Sequence, residues 1–229
     1  MDAIILAGGK GIRLKEVVSD VPKPMAVIHD KPFLFYLLQR IREFPVDKII
    51  LSVGYKSETI INYFGHSFGC IPLEYAKEEK PLGTGGAIVN AVKETTGCNI
   101  LILNGDTWFP IDLNKFYSHH VKNNHLFTIA LKRLERFSRY GSVEISGDTI
   151  TGFNEKKYCE NGVINGGIYL VNRHFFESRQ FPEVFSLEDD ILAMEAGSDV
   201  FKGVVFNEPF IDIGVPEDYH RARSVICNE

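Results

Sequence analysis

Two aspartates and a glycine turn hold the residues best suited to chemistry. Asn104-Gly105-Asp106 directly follows the apolar run Asn99–Leu103, and Phe210-Ile211-Asp212-Ile213-Gly214 sets a second acid between apolar neighbours. An acid at an apolar strand end needs a partner or a metal, because burying it unpaired is costly. Hard oxygen ligands in such places suit Mg2+ held together with phosphates. The alternatives are an Asx-type turn for Asn-Gly-Asp and a helix cap for Asp212, which lies a little early for the segment starting at Pro216. The third element is Ala7-Gly8-Gly9-Lys10-Gly11-Ile12-Arg13, after the apolar run Ala3–Leu6. Glycines let backbone N–H groups approach an anion closely, and two cations add charge, so this turn reads as a phosphate cradle; its plain alternative is a tight turn before a helix. No Gly-Lys-Ser/Thr closes it as in a P-loop, and Leu14 stands where a dinucleotide fingerprint needs glycine.

Other segments add to this set. Glu79-Lys80-Pro81-Leu82-Gly83-Thr84-Gly85-Gly86-Ala87 is a second glycine loop entering a helix, suited either to a nucleobase edge or to simple helix entry with Thr84 as cap. Pro22-Lys23-Pro24-Met25 holds a lysine stiffly between prolines. Glu155-Lys156 offers an acceptor and a cation, and Asn165-Gly166-Gly167 interrupts an apolar strand, as a ligand approach or a β-bulge would. The seven histidines, His119, His120 and His125 among them, show no ligand spacing and read as surface or core residues. No Gly-x-Ser-x-Gly elbow marks a serine nucleophile.

These residues need a scaffold. Strands are expected at Ala3–Leu6, Lys48–Val53, Pro72–Tyr75, Ile100–Leu103 and Phe127–Leu131. Helices are expected at Phe33–Phe44, Ser57–Phe64 and Thr84–Val92, the first on an apolar face of Phe33, Tyr36, Leu37, Ile41 and Phe44. Alternating strands and helices imply a mostly parallel sheet with helices on both faces and ligands at the carboxyl strand ends. After about residue 140 the pattern changes to short strands at Ser142–Ile145, Thr149–Phe153, Val163–Val171 and Val204–Phe206, interrupted by a helix at Leu187–Glu195. This reads as antiparallel strands appended to the parallel core, closed by a helix from Pro216.

The 229 residues are 45% hydrophobic, enough for one domain with an ample core. A formal charge of -5 argues against duplex nucleic acid as a partner. Cys70, Cys98, Cys159 and Cys227 are scattered and read as free thiols of a reducing compartment. No signal peptide or membrane-spanning run is apparent, so the expected location is cytoplasmic, without a membrane partner.

Taken in order, Leu6-Ala7-Gly8-Gly9-x-Gly11-x-Arg13-Leu14, Pro22-Lys23-Pro24, Pro81–Ala87, Asn104-Gly105-Asp106, Glu155-Lys156, Asn165-Gly166-Gly167 and Asp212-Ile213-Gly214-x-Pro216-Glu217-Asp218-Tyr219 resemble the sugar-phosphate nucleotidyltransferase family over almost the whole chain. The resemblance implies a Rossmann-like, doubly wound α/β fold with a mixed, mostly parallel sheet and antiparallel sugar-binding strands in the second half. It implies one domain over residues 1–229, with a nucleotide part at about 1–135, a sugar-phosphate part at about 136–229 and no C-terminal extension. For the nucleotide it implies Leu6, Ala7, Gly8, Gly9, Lys10, Gly11, Arg13, Lys23, Gly83, Thr84, Gly85 and Asp106. For the sugar phosphate it implies Gly141, Glu155, Lys156, Asn165 and Gly166. Arg13, Lys23, Asp106 and Lys156 would be catalytic, and Asp106 with Asp212 would hold Mg2+. Ile12 departs from the family's usual threonine. Within the family the wording looks most like guanylyltransferases that join GTP and a D-glycero-D-manno-heptose 1-phosphate for surface polysaccharide synthesis. Uridylyltransferases for N-acetylmuramate or hexose 1-phosphates, and a non-catalytic nucleotide-sugar sensor, are the alternatives. The oligomeric state is left open, a homodimer being one option.

Overall fold

The structure, a computed structural model, describes residues 1–9 and 21–226. Lys10, Gly11, Ile12, Arg13 and Cys227 lie outside the described residues. In chain order the first part contains β1 (Asp2–Leu6), β2 (Val27–Ile28), β3 (Lys31–Pro32), α1 (Phe33–Arg42), β4 (Lys48–Val53), α2 (Ser57–Phe64), β5 (Ser67–Phe68), β6 (Ile71–Lys77), α3 (Gly83–Val92), β7 (Asn99–Asn104), β8 (Thr107–Trp108) and α4 (Leu113–Lys122). The second contains β9 (Phe127–Phe137), β10 (Gly141–Ser146), β11 (Thr149–Lys156), β12 (Cys159–Asn172), α5 (His174–Glu177), β13 (Phe201–Phe206), β14 (Ile211–Asp212) and α6 (Pro216–Val225).

One ten-stranded sheet runs through both parts in the order β10-β11-β13-β9-β12-β7-β1-β4-β6-β5. β7, β1, β4 and β6 are parallel neighbours, and the largely apolar runs of β7, β1 and β4 suit strands covered on both faces. Side chains alternate across the sheet. Ala3 and Ile5 pack with Leu34 and Leu38 of α1, Ile60 of α2, Phe116 of α4 and Ala222 of α6. Ile4, Ile50 and Ile102 pack with Ile88 of α3 and Phe175 of α5 on the opposite face.

The second half departs from simple addition at an edge. β12 inserts between β7 and β9 and is antiparallel to both, while β13 is parallel to β9. Ile168–Val171 is apolar apart from the partnered Tyr169 hydroxyl, so it can be buried on both faces in the middle of the sheet. The expected helix at Leu187–Glu195 is a π-helical turn, Leu187–Leu192. Widening the turn puts Leu187 and Leu192, five residues apart, on the same buried side. Thr84 is not a cap: α3 starts from Leu82, which makes no side-chain cap, and Thr84 sits within the helix.

His120 is a core histidine. Its ring lies between Thr128 Oγ1 at 2.8 Å and Asn99 Oδ1 at 3.3 Å. Burial first, and then the neighbouring His125 and His119, lower its pKa from 6.5 to about 4. Between these values the unfolded chain binds a proton that the folded chain does not. Stability is therefore full above the ordinary histidine pKa and falls as pH drops toward 4, by roughly 1.4 kcal/mol per unit and about 3 kcal/mol in total. Urea midpoints measured from about pH 7 down to about pH 5 should decline steeply in the wild type and less so in His120→Gln. Equal slopes would show that His120 does not drive the decline.

Candidate active site

The carboxyl ends of three parallel strands lie level, because Leu6 pairs with both Ser52 and Asn104. The chain leaves all three through glycine. Gly105 N–H donates to Leu6 O at 2.9 Å, and a Cβ on Gly105 would lie 2.4 Å from that oxygen. A Cβ on Gly8 would lie 2.5 Å from Glu78 Oε1. Gly9 has nothing within 4 Å of its Cβ position and faces open space. These turns open a cleft of about 690 Å³, bounded by Leu6, Gly8, Gly9, Lys23, Gly83, Thr84 and Asp106, together with Ser52, Glu78 and Asn104.

A short ribbon positions the two aspartates. β14 pairs with β8 so that Asp212 lies opposite Thr107, and Ile213 N–H donates to Asp106 O at 3.0 Å. Residues more than a hundred positions apart in sequence thus become neighbours. Lys23, held in a 3₁₀ turn between Pro22 and Pro24, points its ammonium between them. Nζ is 2.5 Å from Asp106 Oδ2 and 3.3 Å from Asp212 Oδ1. Burial opposes the lysine charge, but the two carboxylates outweigh it and hold its pKa above 10.5. Asp212 Oδ1 also accepts from Gly214 N at 2.7 Å. It does not cap α6, whose N-cap is Val215 without a side-chain bond. In the first turn of α6, Asp218 is buried and pairs with Arg139 at 2.6 Å.

Two acids that converge on a cation form a seat with hard oxygen donors, which fits a divalent metal. Lys23 and a divalent metal would compete for the same two carboxylates. Lys23→Met should therefore leave the acids facing each other and cost about 1–2 kcal/mol of stability in chelator. It should also tighten Mg2+ binding at least about tenfold, since a competing charge is gone. Calorimetric titration reads both effects on one variant, and unchanged or weaker Mg2+ binding would place the metal elsewhere.

The glycines of α3 serve packing as well as the cleft. Gly83 has φ +73, and a Cβ there would lie 2.3 Å from Phe185 O. A Cβ on Gly85 would enter the Phe185 ring, and Gly85 N–H donates to Phe185 O at 3.0 Å. Gly83 and Thr84 thus line the cleft while Gly85 lies buried behind it, as does Ala7. Thr84 Oγ1 donates to Glu188 Oε2 at 2.5 Å. Glu188 in turn hydrogen-bonds buried Tyr169, whose hydroxyl accepts from Asn165 Nδ2 at 3.0 Å. One chain of side chains therefore links the helix entry to Asn165.

Gly141, Glu155, Lys156, Asn165 and Gly166 lie outside the lining of that cleft. Gly141 pairs with Lys156, and Ser142 with Ile164, which puts Gly141, Lys156 and Asn165 side by side at one end of the antiparallel strands. Glu155 and Lys156 are exposed there. Asn165-Gly166-Gly167 is a bulge: the stretch from Asn165 to Tyr169 on β12 spans only Leu131 to Ile129 on β9. Its glycines are crowded by protein, since a Cβ on Gly166 would meet Phe109 at 2.6 Å and one on Gly167 would meet Asn104 at 2.8 Å.

Glu78 escaped the sequence reading. It follows β6 as Asp106 follows β7, so the same logic of an acid at a carboxyl strand end would have found it. Oε2 accepts from Leu82 N at 3.1 Å and Oε1 from Ser52 Oγ at 3.3 Å, across the cleft floor. The histidine reading also changes: His119 and His125, six residues apart, converge on Asp148 of a distant turn.

A glycine turn, a paired-acid cation seat and a half-buried acceptor at the carboxyl edge of a mixed α/β sheet make a cleft whose chemistry suits an anionic ligand with a divalent cation. The model of the nucleotidyl transferase family matches residues 2–229, and the chain belongs to that family. It is 45% identical over 223 residues to a D-glycero-alpha-D-manno-heptose 1-phosphate guanylyltransferase of Aneurinibacillus thermoaerophilus, covering 97% of both chains. A protein of the same name from Campylobacter jejuni is 42% identical, covering 96% of this chain and 97% of its own. Among solved structures, HddC from Yersinia pseudotuberculosis complexed with GMP-PN superposes with a TM-score of 0.86 at 37% identity, covering 97% of this chain and 98% of that one. No helix among the described residues is long and apolar enough to cross a membrane.

Proposed function

We propose that the chain transfers GMP from GTP to D-glycero-alpha-D-manno-heptose 1-phosphate, forming a GDP-sugar and pyrophosphate. The observation that carries this reading is similarity from end to end, 45% over 97% of both chains, to a guanylyltransferase named for that substrate. Glu78 supplies a physical reason for the base. An ionised carboxylate only accepts hydrogen bonds and has about four lone-pair sites. Two serve Leu82 N and Ser52 Oγ, which leaves room for the adjacent N1–H and N2–H donors of guanine. Uracil offers one N–H flanked by carbonyls, so a carboxylate there disfavours it.

In the reaction a phosphate oxygen of the sugar phosphate attacks the α-phosphorus, and the bond to the β-phosphate oxygen breaks. A phosphomonoester has its second pKa at about 6, so the nucleophile is largely ionised without a general base. The obstacle is charge: two like charges at about 4 Å repel by roughly 4 kcal/mol at an effective dielectric of 20. Asp106 and Asp212 would hold the divalent metal, Mg2+ in our reading, which when bound neutralises the phosphates and the leaving pyrophosphate. Lys23, released from its acids, keeps a positive charge beside them. The Gly8-Gly9 turn gives the phosphates close backbone approach, with Arg13 as a further cation. Lys156 and Glu155, with Gly141, Asn165 and Gly166, form the sugar-phosphate side. The chain acts in the cytoplasm. Among the described residues Cys70, Cys98 and Cys159 are free thiols, in keeping with a reducing location. Mass spectrometry of the product from GTP and the heptose phosphate should find the GDP-sugar with one pyrophosphate per turnover. A nucleotide that binds without any product would make the chain a sensor.

A further inference from the structure

On the far side of the sheet from the cleft edge, three side chains from separate elements aim at one point. His119 belongs to the last turn of α4, His125 to the connection before β9, and Asp148 to the turn between β10 and β11. Asp148 Oδ2 is 3.4 Å from His125 Nε2 and 3.7 Å from His119 Nε2. Neither approach makes a hydrogen bond. Both Nε2 atoms are buried with no hydrogen-bond partner among the described residues, and the His125 side chain is only 10% exposed. His120, next in sequence to His119, differs in that both of its ring nitrogens are partnered.

An unpartnered buried nitrogen is costly, and two facing one carboxylate oxygen call for a bridging ligand. Zinc bound tetrahedrally at 2.0–2.1 Å separates its donor atoms by about 3.3 Å. The donors observed here lie within 4.8 Å of one another, the two to Asp148 within 0.4 Å of that spacing. Lys202 lies nearby, but its ammonium bonds Asp199 and Thr149 and faces Asp148 through the other oxygen, Oδ1, at 3.6 Å. Asp148 itself is 39% exposed, which leaves an entry path and a fourth position for water.

We propose that His119, His125 and Asp148 form a zinc site that is separate from the Asp106–Asp212 seat and ties the β10–β11 hairpin to the end of α4. Two imidazoles and one carboxylate select zinc or a neighbouring transition metal over Mg2+. The hairpin carries Gly141, Glu155 and Lys156, assigned to the sugar phosphate, at its far end, so the site fastens that half of the sheet rather than doing chemistry.

Chelator-stripped protein titrated with Zn2+ in excess Mg2+ tests this. One saturable equivalent is expected, with a rise in melting temperature, and Co2+ in place of Zn2+ should give visible absorption bands of a four-coordinate site. His119→Ala and Asp148→Asn should fold normally, retain Mg2+-dependent turnover and lose more than the roughly 10–100-fold in zinc affinity that removing an outer partner costs. Absence of saturable zinc binding in the wild type, or equal affinity in His119→Ala, would overturn the proposal. So would a Co2+ spectrum that survives both substitutions but disappears in Asp212→Asn.

Discussion

Asp106→Asn is expected to lower pyrophosphate-releasing turnover by roughly 10³-fold or more while the fold persists. Asparagine keeps the shape of the side chain and loses its charge. The backbone of Asp106 still receives Ile213 N–H at 3.0 Å, so the ribbon that joins β8 and β14 survives. The acid side chain is about one-third exposed, which limits the stability cost of the change. What is lost is half of the cation seat. Without it the nucleophile and the triphosphate would meet with less of their repulsion offset, and Mg2+ titration should no longer raise the rate. Turnover near that of the wild type would remove Asp106 from the metal site.

Glu78→Gln carries the second large effect. Hydrogen bonds to a charged group are worth about 1.5–3 kcal/mol, and the substitution replaces one acceptor by a donor that faces guanine's own donors. GTP kcat/KM should fall by roughly 100-fold, mostly through KM, because base contacts are made equally in the ground and transition states. UTP should change far less, so the preference between the two nucleotides narrows. If GTP and UTP decline together, Glu78 positions the loop at Leu82 and does not read the base.

Much of the scaffold was legible because local signals sufficed. β4 and α2 have the bounds expected of them, since an unbroken apolar run and an amphipathic stretch each announce themselves. Asp106 could be placed at a strand end for the same reason. Local signals did not place it beside Asp212, a pairing that only the family resemblance implied, because the contact depends on a two-residue ribbon between distant segments. β12 was recognisable as a strand, but its position between β7 and β9 is decided by long-range pairing. Gly85 and Gly166 have a packing role that no local signal announces: a Cβ on either would meet the ring of Phe185 or Phe109. His119 and His125 lacked ligand spacing along the chain, and only the β10–β11 turn brings Asp148 to them.

Which nucleotide and which sugar phosphate the cleft joins is read most directly from pyrophosphate release, measured for GTP, ATP, CTP and UTP against heptose, mannose, glucose and N-acetylmuramate 1-phosphates with Mg2+. The highest kcat/KM is expected for GTP with D-glycero-alpha-D-manno-heptose 1-phosphate. A highest value for UTP with a hexose or N-acetylmuramate phosphate would contradict it.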